Sequence, residues 1–301
     1  MMNINDYISM SAENFMRKLN AGVPLCQCKT LTFKEEQLPD YTNEIVQDFY
    51  IMRYGMAYAF EYKKLYKTMM ENISSDVLDE LTIYNRDFEV VSLGCGNMID
   101  YWALRRVFPE EYTINYHGID VVDWNNKFPC YPGDSMDFQK CKISEYFSSC
   151  DCFSADAYIF PKSISEFDDE EIEAVCESWR DKGIYNDEVH LLFAMRSTDT
   201  NLKLDCKKAK KLSSTLASFG MKSNGPVKVE GVGRKVYNLD KDFSENVWKK
   251  VYGDLENFPK ACKKHNNFCN CSACDFGRTL PIGYDRYMRL KIYTFRRDGW
   301  E

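Results

Sequence analysis

The chain has 301 residues, of which 45% are hydrophobic and 28% charged, with a formal net charge of −7. That length can bury the core of one large domain or two modest ones, and the 15% of aromatic residues excludes a disordered polymer. The acidic balance argues against a generally basic nucleic-acid binder, although a local basic patch is still compatible with it. No run approaches the roughly 18 apolar residues of a membrane helix. The start, MMNINDYISM, lacks a basic stretch followed by an apolar one, so the sequence predicts a cytoplasmic protein without a signal peptide or membrane segment. The 13 cysteines, odd in number and uneven in spacing, fit reduced thiols, some of them available to a metal.

Residues 1–20 read as a short amphipathic helix, and residues 21–40, AGVPLCQCKTLTFKEEQLPD, as an irregular link with prolines near both ends. A long helix is predicted over residues 41–71, where Asp40 or Thr42 can accept from the exposed amides of the first turn. Along it Tyr50, Tyr54, Tyr58, Tyr62 and Tyr66 recur at every fourth position and form a slowly drifting stripe. Such a stripe packs on a neighbouring layer with its hydroxyls at the rim, or lines a cleft; Arg53 lies beside it.

From residue 88 short apolar strands alternate with helical stretches. FEVVSLG, YTINYHGIDVV, ADAYIF and EVHLLFAMR read as strands; NMIDYWALRRVF, ISEYFSS, DDEEIEAVCESWRDKG and DCKKAKKLSSTLASFG read as helices. GPVKVEGVGRKVYNL and YMRLKIYTFRR add strand-like segments near the end. Alternation of this kind implies a mostly parallel sheet covered on both faces. The expected organisation is a helical N-terminal cap over residues 1–85 and an α/β domain over residues 86–301, with a cysteine-rich insert at about 255–280.

In an open parallel sheet, ligands lie beyond the carboxyl ends of the strands, near the point where strand order reverses. VVSLGCGNMID ends an apolar strand on Gly94-Cys95-Gly96. Glycine lets the backbone turn tightly and lets a ligand approach without a Cβ in the way, and the following helix offers free amides. About 25 residues later IDVVD supplies Asp120 and Asp123 at the end of the next strand, where a carboxylate can accept from a ribose.

These segments resemble motif I and the acidic motif that follows it in class I S-adenosylmethionine-dependent methyltransferases. The motif runs acid, spacer, Gly-x-Gly-x-Gly. Ser92 stands where the first acid would be, and Met98 where the last glycine would be. The resemblance covers roughly residues 85–220 and implies a doubly wound, mostly parallel Rossmann-like methyltransferase sheet. It implies S-adenosylmethionine held by Ser92, Gly94, Cys95 and Gly96, with Asp120 on the ribose. YPGDSMDF is similar to the stretch that such enzymes place against adenine, which would set Asp134 on the exocyclic amine and the Ser135 amide on the ring. Two other readings use the same turn: a cofactor-binding module without catalysis, and an NAD-dependent oxidoreductase. The latter wants Gly-x-Gly-x-x-Gly, and Ile99 occupies its third glycine.

Methyl transfer from a sulfonium needs alignment more than acid–base help. The end of the fourth strand, IFPKSISEF, offers Lys162 and Ser163 as candidate catalytic residues. Lys162 can attract an acidic substrate or stand in solvent; Ser163 or Ser165 can instead cap the next helix, whose first turn is acidic. Arg196 ends the next strand, and His117 and His190 read as satisfied core histidines. The methyl acceptor is unnamed by the sequence, with a small molecule preferred to nucleic acid or protein.

CKKHNNFCNCSAC carries Cys262, His265, Cys269, Cys271 and Cys274. Four of them would satisfy a closed, structural Zn2+; free thiols in a reducing compartment fit equally. Cys26 and Cys28 can complete such a site, and Lys263, Lys264, Arg278 and Arg286 beside it can touch nucleic acid.

Overall fold

The computed structural model describes residues 2–23, 27–28, 40–196, 199–231, 233–256, 282–283 and 288–297. The chain forms two compact units. The first comprises Met1–Phe60, Val122–Phe128 and Gly233–Asp285; the second comprises Glu61–Val121, Pro129–Val232 and Arg286–Glu301. The boundary expected near residue 85 falls inside the second unit.

In the first unit, α1 (Ile4–Asn20) starts at Asn3, whose side chain accepts from the Asp6 amide at 2.9 Å. Ile4, Tyr7, Ile8, Ser11, Ala12, Phe15 and Leu19 form its buried face at helical spacing. Phe15 stacks on Phe49 of α2 (Glu44–Met70) with ring centroids 5.1 Å apart. The cap of α2 is Asn43, which accepts from the Ile45 amide at 3.2 Å. Asp40 is spent one turn earlier, accepting from the Thr42 amide at 3.1 Å. The tyrosine stripe is a packing device in this unit: Tyr54 stacks on Tyr58 at 5.1 Å, and Tyr41 and Trp124 each close on Tyr50 at 5.4 Å.

The second unit contains the C-terminal end of α2, α3 (Ser75–Ile83) and a seven-stranded sheet. Its elements follow as β1 (Phe88–Leu93), α4 (Ile99–Arg105), β2 (Ile114–Asp120), β3 (Ser135–Lys140), α5 (Ile143–Ser149), β4 (Ala157–Pro161), α6 (Asp169–Lys182), β5 (Glu188–Arg196), α7 (Asp199–Ala217) and β6 (Val227–Glu230). After α8 (Glu245–Glu256), which packs against α1 in the first unit, the chain returns as β7 (Met288–Arg296). The strand order is β3-β2-β1-β4-β5-β7-β6. β1 to β5 run parallel, and β7 lies antiparallel between β5 and β6. The α/β, doubly wound sheet anticipated from the alternation is therefore present.

One face of the sheet packs Val91, Leu93, Ile119, Phe160, Leu191 and Phe193 against α5, α6 and α7, with Phe147, Trp179 and Leu212 at its centre. Since side chains alternate along a strand, Ser92 and Tyr116 point to the other face, where α4 and the end of α2 lie. α6 carries a full capping box: the Glu171 amide donates to Asp168 at 2.7 Å, and the Asp168 amide to Glu171 at 3.3 Å. Gly183, at φ +79°, ends it.

The structure departs from expectation at residues 135–140. SMDFQK is the edge strand β3, with Met136 and Phe138 more buried than their neighbours Ser135 and Asp137. The alternation of a half-buried strand is visible there in the sequence.

Candidate functional site

The strand order reverses between β1 and β4, so the crevice expected of such a sheet lies beyond the ends of these two strands. There the chain leaves β1 through a turn with Gly94 at φ +72°, Gly96 at +54° and Met98 at +61°. The Gly94 and Cys95 amides both donate to the Ile119 carbonyl, at 2.7 and 3.1 Å. The Gly96 amide donates to Asp120 Oδ2 at 2.8 Å. The glycine turn and the β2 carboxylate thus adjoin each other at the ends of neighbouring strands.

The two bare positions differ in cause. A Cβ at Gly94 would overlap Ser163 Cβ and lie 3.0 Å from Ser163 Oγ, so this glycine admits the chain leaving β4. Gly118, inside β2, is the counterpart the sequence reading missed. A Cβ there would stand 2.7 Å from Met98 Cε and 2.9 Å from Cys95 Sγ. Both side chains therefore tuck onto the sheet, and Met98, at the position where the resembled motif carries glycine, points its bulk into protein. A glycine in a strand interior is a general sign of such close approach.

Ser92 meets an acid after all. Its hydroxyl donates to Asp100 Oδ2 at 2.8 Å, and Tyr116 donates to the same carboxyl at 2.8 and 3.0 Å. Asp100 lies in the first turn of α4 and is fully buried. Burial lifts its pKa to about 6, partly offset by the Ser92 and Tyr116 hydrogen bonds. An acidic residue at the start of the post-glycine helix was the available signal.

Asn97 is a further residue that the sequence did not single out. It is 5% exposed. Its Oδ1 accepts from the Ile99 amide at 3.3 Å, while its Nδ2 has no partner among the described residues. A buried amide donor without an acceptor is rare enough to mark a place for one.

Asp134 and Ser135 do not join this site. They stand at the start of β3, beside Ile114 and Asn115, whereas Asp120 pairs with Lys140 at its far end. A strand of that length spans about 20 Å. Asp134 accepts from Tyr101 Oη at 2.7 Å, Arg105 Nη1 at 3.1 Å and the Ile114 amide at 3.1 Å. It ties the lower edge of the sheet together. Ser135 Oγ donates to Asn115 at 2.7 Å. Lys140, Cys141 and Lys142 occupy the site end, where the Cys141 amide donates to the Asp120 carbonyl at 3.1 Å. Asp123 belongs to the first unit and pairs with Lys127.

Lys162 and Ser163 follow β4 and do reach the crevice end of the sheet. Lys162 has φ +64°, and its ammonium sits 3.3 Å from Glu61 Oε2, both side chains being buried. It is an internal ion pair, where the sequence left a solvated lysine open. Ser163 donates its hydroxyl to the Leu93 carbonyl, bracing the turn; the cap of α6 is Asp168. Arg196 closes β5, and its side chain is not among those described. His117 is half-buried, 3.2 Å from Glu89, and His190 is buried, 3.0 Å from Thr294 Oγ1. Cys26 and the candidate zinc ligands Cys262, His265, Cys269, Cys271 and Cys274 lie outside the described residues. Among the described residues no group of three or more His, Cys, Asp or Glu could hold a metal ion, and no helix is long and apolar enough to cross a membrane.

No family model and no curated protein matches this chain. Among solved structures it is similar to the plantazolicin methyltransferase BpumL in complex with a monoazolic desmethylPZN analogue and SAH, with 10% identity over 96% of this chain and 99% of that one and a TM-score of 0.41. It is similar to the plantazolicin methyltransferase BamL, with 11% identity over 97% and 98% of the two chains and a TM-score of 0.37. A SAM-dependent methyltransferase from Archaeoglobus fulgidus shares 13% identity over 73% of this chain and 93% of its own, with a TM-score of 0.36. At such identities and scores, a functional reading rests on this chain's own residues.

Proposed function

We propose that the chain is an S-adenosylmethionine-dependent methyltransferase. The observation that carries this reading is the hydrogen bond from the Gly96 amide to Asp120 at the carboxyl ends of adjacent strands. The donor set suits the cofactor. Backbone at Cys95–Gly96 approaches closely, the Asp120 carboxylate accepts from ribose hydroxyls, and the orphaned Asn97 Nδ2 donates to an anionic or carbonyl oxygen. When bound, the cofactor supplies an electrophilic methyl group.

The chain's part in the transfer is positional. The Ser163 hydroxyl holds the loop after β4 against the end of β1, and the Lys162–Glu61 pair holds it against α2, which together fix where an acceptor nucleophile meets that methyl group. The net charge of −7 favours a small-molecule acceptor over nucleic acid. A second reading, a binding module without turnover, draws on the same pairing, because Lys162 and Ser163 are committed to protein partners.

Calorimetric titration with S-adenosylmethionine, S-adenosylhomocysteine and NAD tests the assignment. Binding of the two S-adenosyl compounds is expected; binding of NAD alone would remove it. Asp120→Ala is expected to weaken S-adenosylhomocysteine by about 1–3 kcal/mol, the size of lost buried hydrogen bonds. An unchanged affinity would take Asp120 out of the site. Methyl release on candidate acceptors separates the enzyme from the silent module.

A further inference from the structure

We infer that Asp100 is the positioning residue of the glycine turn, a buried carboxylate that in its ionised form closes the base of residues 93–99 and so sets cofactor affinity. The inference rests on the S-adenosyl reading above and adds a residue and a pH dependence to it. The geometry is a clamp. Ser92 is the penultimate residue of β1 and Asp100 the second residue of α4, and their 2.8 Å hydrogen bond spans the whole turn between them. Tyr116 fastens the same carboxyl to β2 at 2.8 and 3.0 Å. Asp120 is held to the turn by the Gly96 amide, so what moves the turn moves the ribose acceptor with it.

The groups facing Asp100 leave it as the one that changes charge. From β1 comes Ser92, from β2 Tyr116 and from α2 Tyr66, with the amides of Asp100 and Tyr101 on its own helix. Cys95 faces Tyr116 from the turn. Burial raises Tyr66 and Tyr116 well above the usual phenol range, so both keep their protons and stay donors. An ionised Asp100 accepts from the Ser92 and Tyr116 hydroxyls together. A protonated Asp100 must itself donate from one oxygen, and one hydroxyl then loses its acceptor.

The test is the dissociation constant of S-adenosylhomocysteine from pH 5 to 8 for the wild type, Asp100→Asn and Ser92→Ala. Amide exchange of residues 93–101 is followed in the same ligand-free proteins. Wild-type affinity is expected to rise on the order of tenfold across pH 6, the yield of a hydrogen bond to a charged group. Asp100→Asn should stay near the acid-side affinity at every pH, with faster exchange in the turn. Ser92→Ala keeps the carboxyl but removes one donor, so its midpoint should move to higher pH. Superimposed profiles for wild type and D100N overturn the proposal. If D100N does not fold, an unshifted midpoint in S92A overturns it. A wild type that binds no S-adenosyl compound at any pH ends the methyltransferase reading instead. The exchange data then decide the clamp, equal protection in D100N overturning it and faster exchange supporting it.

Discussion

Gly94→Ala is expected to lower the unfolding free energy by about 2–5 kcal/mol. Two penalties add. A left-handed φ, here +72°, costs an alanine roughly 1–2 kcal/mol, and forcing a methyl group into a filled site costs about 1–3 kcal/mol more. The methyl group would overlap Ser163 Cβ and meet Phe167 Cζ at 3.3 Å. Neither can retreat: the Ser163 hydroxyl is bonded to Leu93, and Lys208 ties the loop through the Ile164 carbonyl at 3.2 Å and the Phe167 carbonyl. Urea unfolding of G94A measures the loss. Placing Ser163→Gly in the G94A background should return the steric part and leave the backbone part. A G94A protein within about 0.5 kcal/mol of wild type would mean that the turn is not held as described.

The second large effect lies at the opposite end of the sheet. Glu188, at the start of β5, is fully buried and takes the Ser74 amide at 3.0 Å, Arg296 Nε at 2.5 Å and His190 Nε2 at 2.9 Å. Burial pushes its pKa up, but His190, Arg296 and the amide outweigh burial and hold it at about 2 against the ordinary 4.5. A carboxyl with a depressed folded pKa adds stability that is complete above its unfolded pKa and lost as pH falls to the folded one. Stability is therefore expected to fall by about 3 kcal/mol between pH 4.5 and 2 on account of this group. Glu188→Gln should cost about 3–5 kcal/mol at neutral pH, since it strands the Arg296 guanidinium, and the gap to wild type should narrow in acid. Urea unfolding of both proteins at pH 7 and at pH 2.5 checks this. An equal gap at the two pH values would show that Glu188 is not the linked group.

The apolar runs mark β1, β4 and β5, because parallel strands buried on both faces are rich in apolar residues: β4, AYIFP, is buried throughout, while β2, INYHGID, is marked by its alternation. The weak signals were missed for an equally physical reason. β3 is an edge strand, half exposed, and its alternation is diluted by polar residues. The likeness of YPGDSMDF to an adenine-binding stretch then drew Asp134 and Ser135 to the wrong end of the strand. α3 spans only nine residues, whereas α8 carries Val247, Trp248, Val251 and Leu255 at helical spacing, a pattern the sequence offered; of the tail GPVKVEGVGRKVYNL, Val227–Glu230 is a strand among the described residues.

In the site, the glycine spacing and the acid at the end of the next strand marked Gly94–Gly96 and Asp120 as neighbours, since both features are local to strand ends and survive in one dimension; the direct bond between Gly96 and Asp120 is visible only in the structure. Which glycine a ligand needs and which a neighbouring loop needs is a question of distance. Gly94 serves Ser163, a residue 69 positions away. Likewise Ser92 stands in the place of an acid, and α4 brings Asp100 across to it, while Lys162, open in the sequence to a catalytic or a solvated role, meets Glu61 in the interior. Fold class follows from residue periodicity, which the chain carries along its length. The identity of each polar partner follows from which strands adjoin, and that is settled only when the core closes.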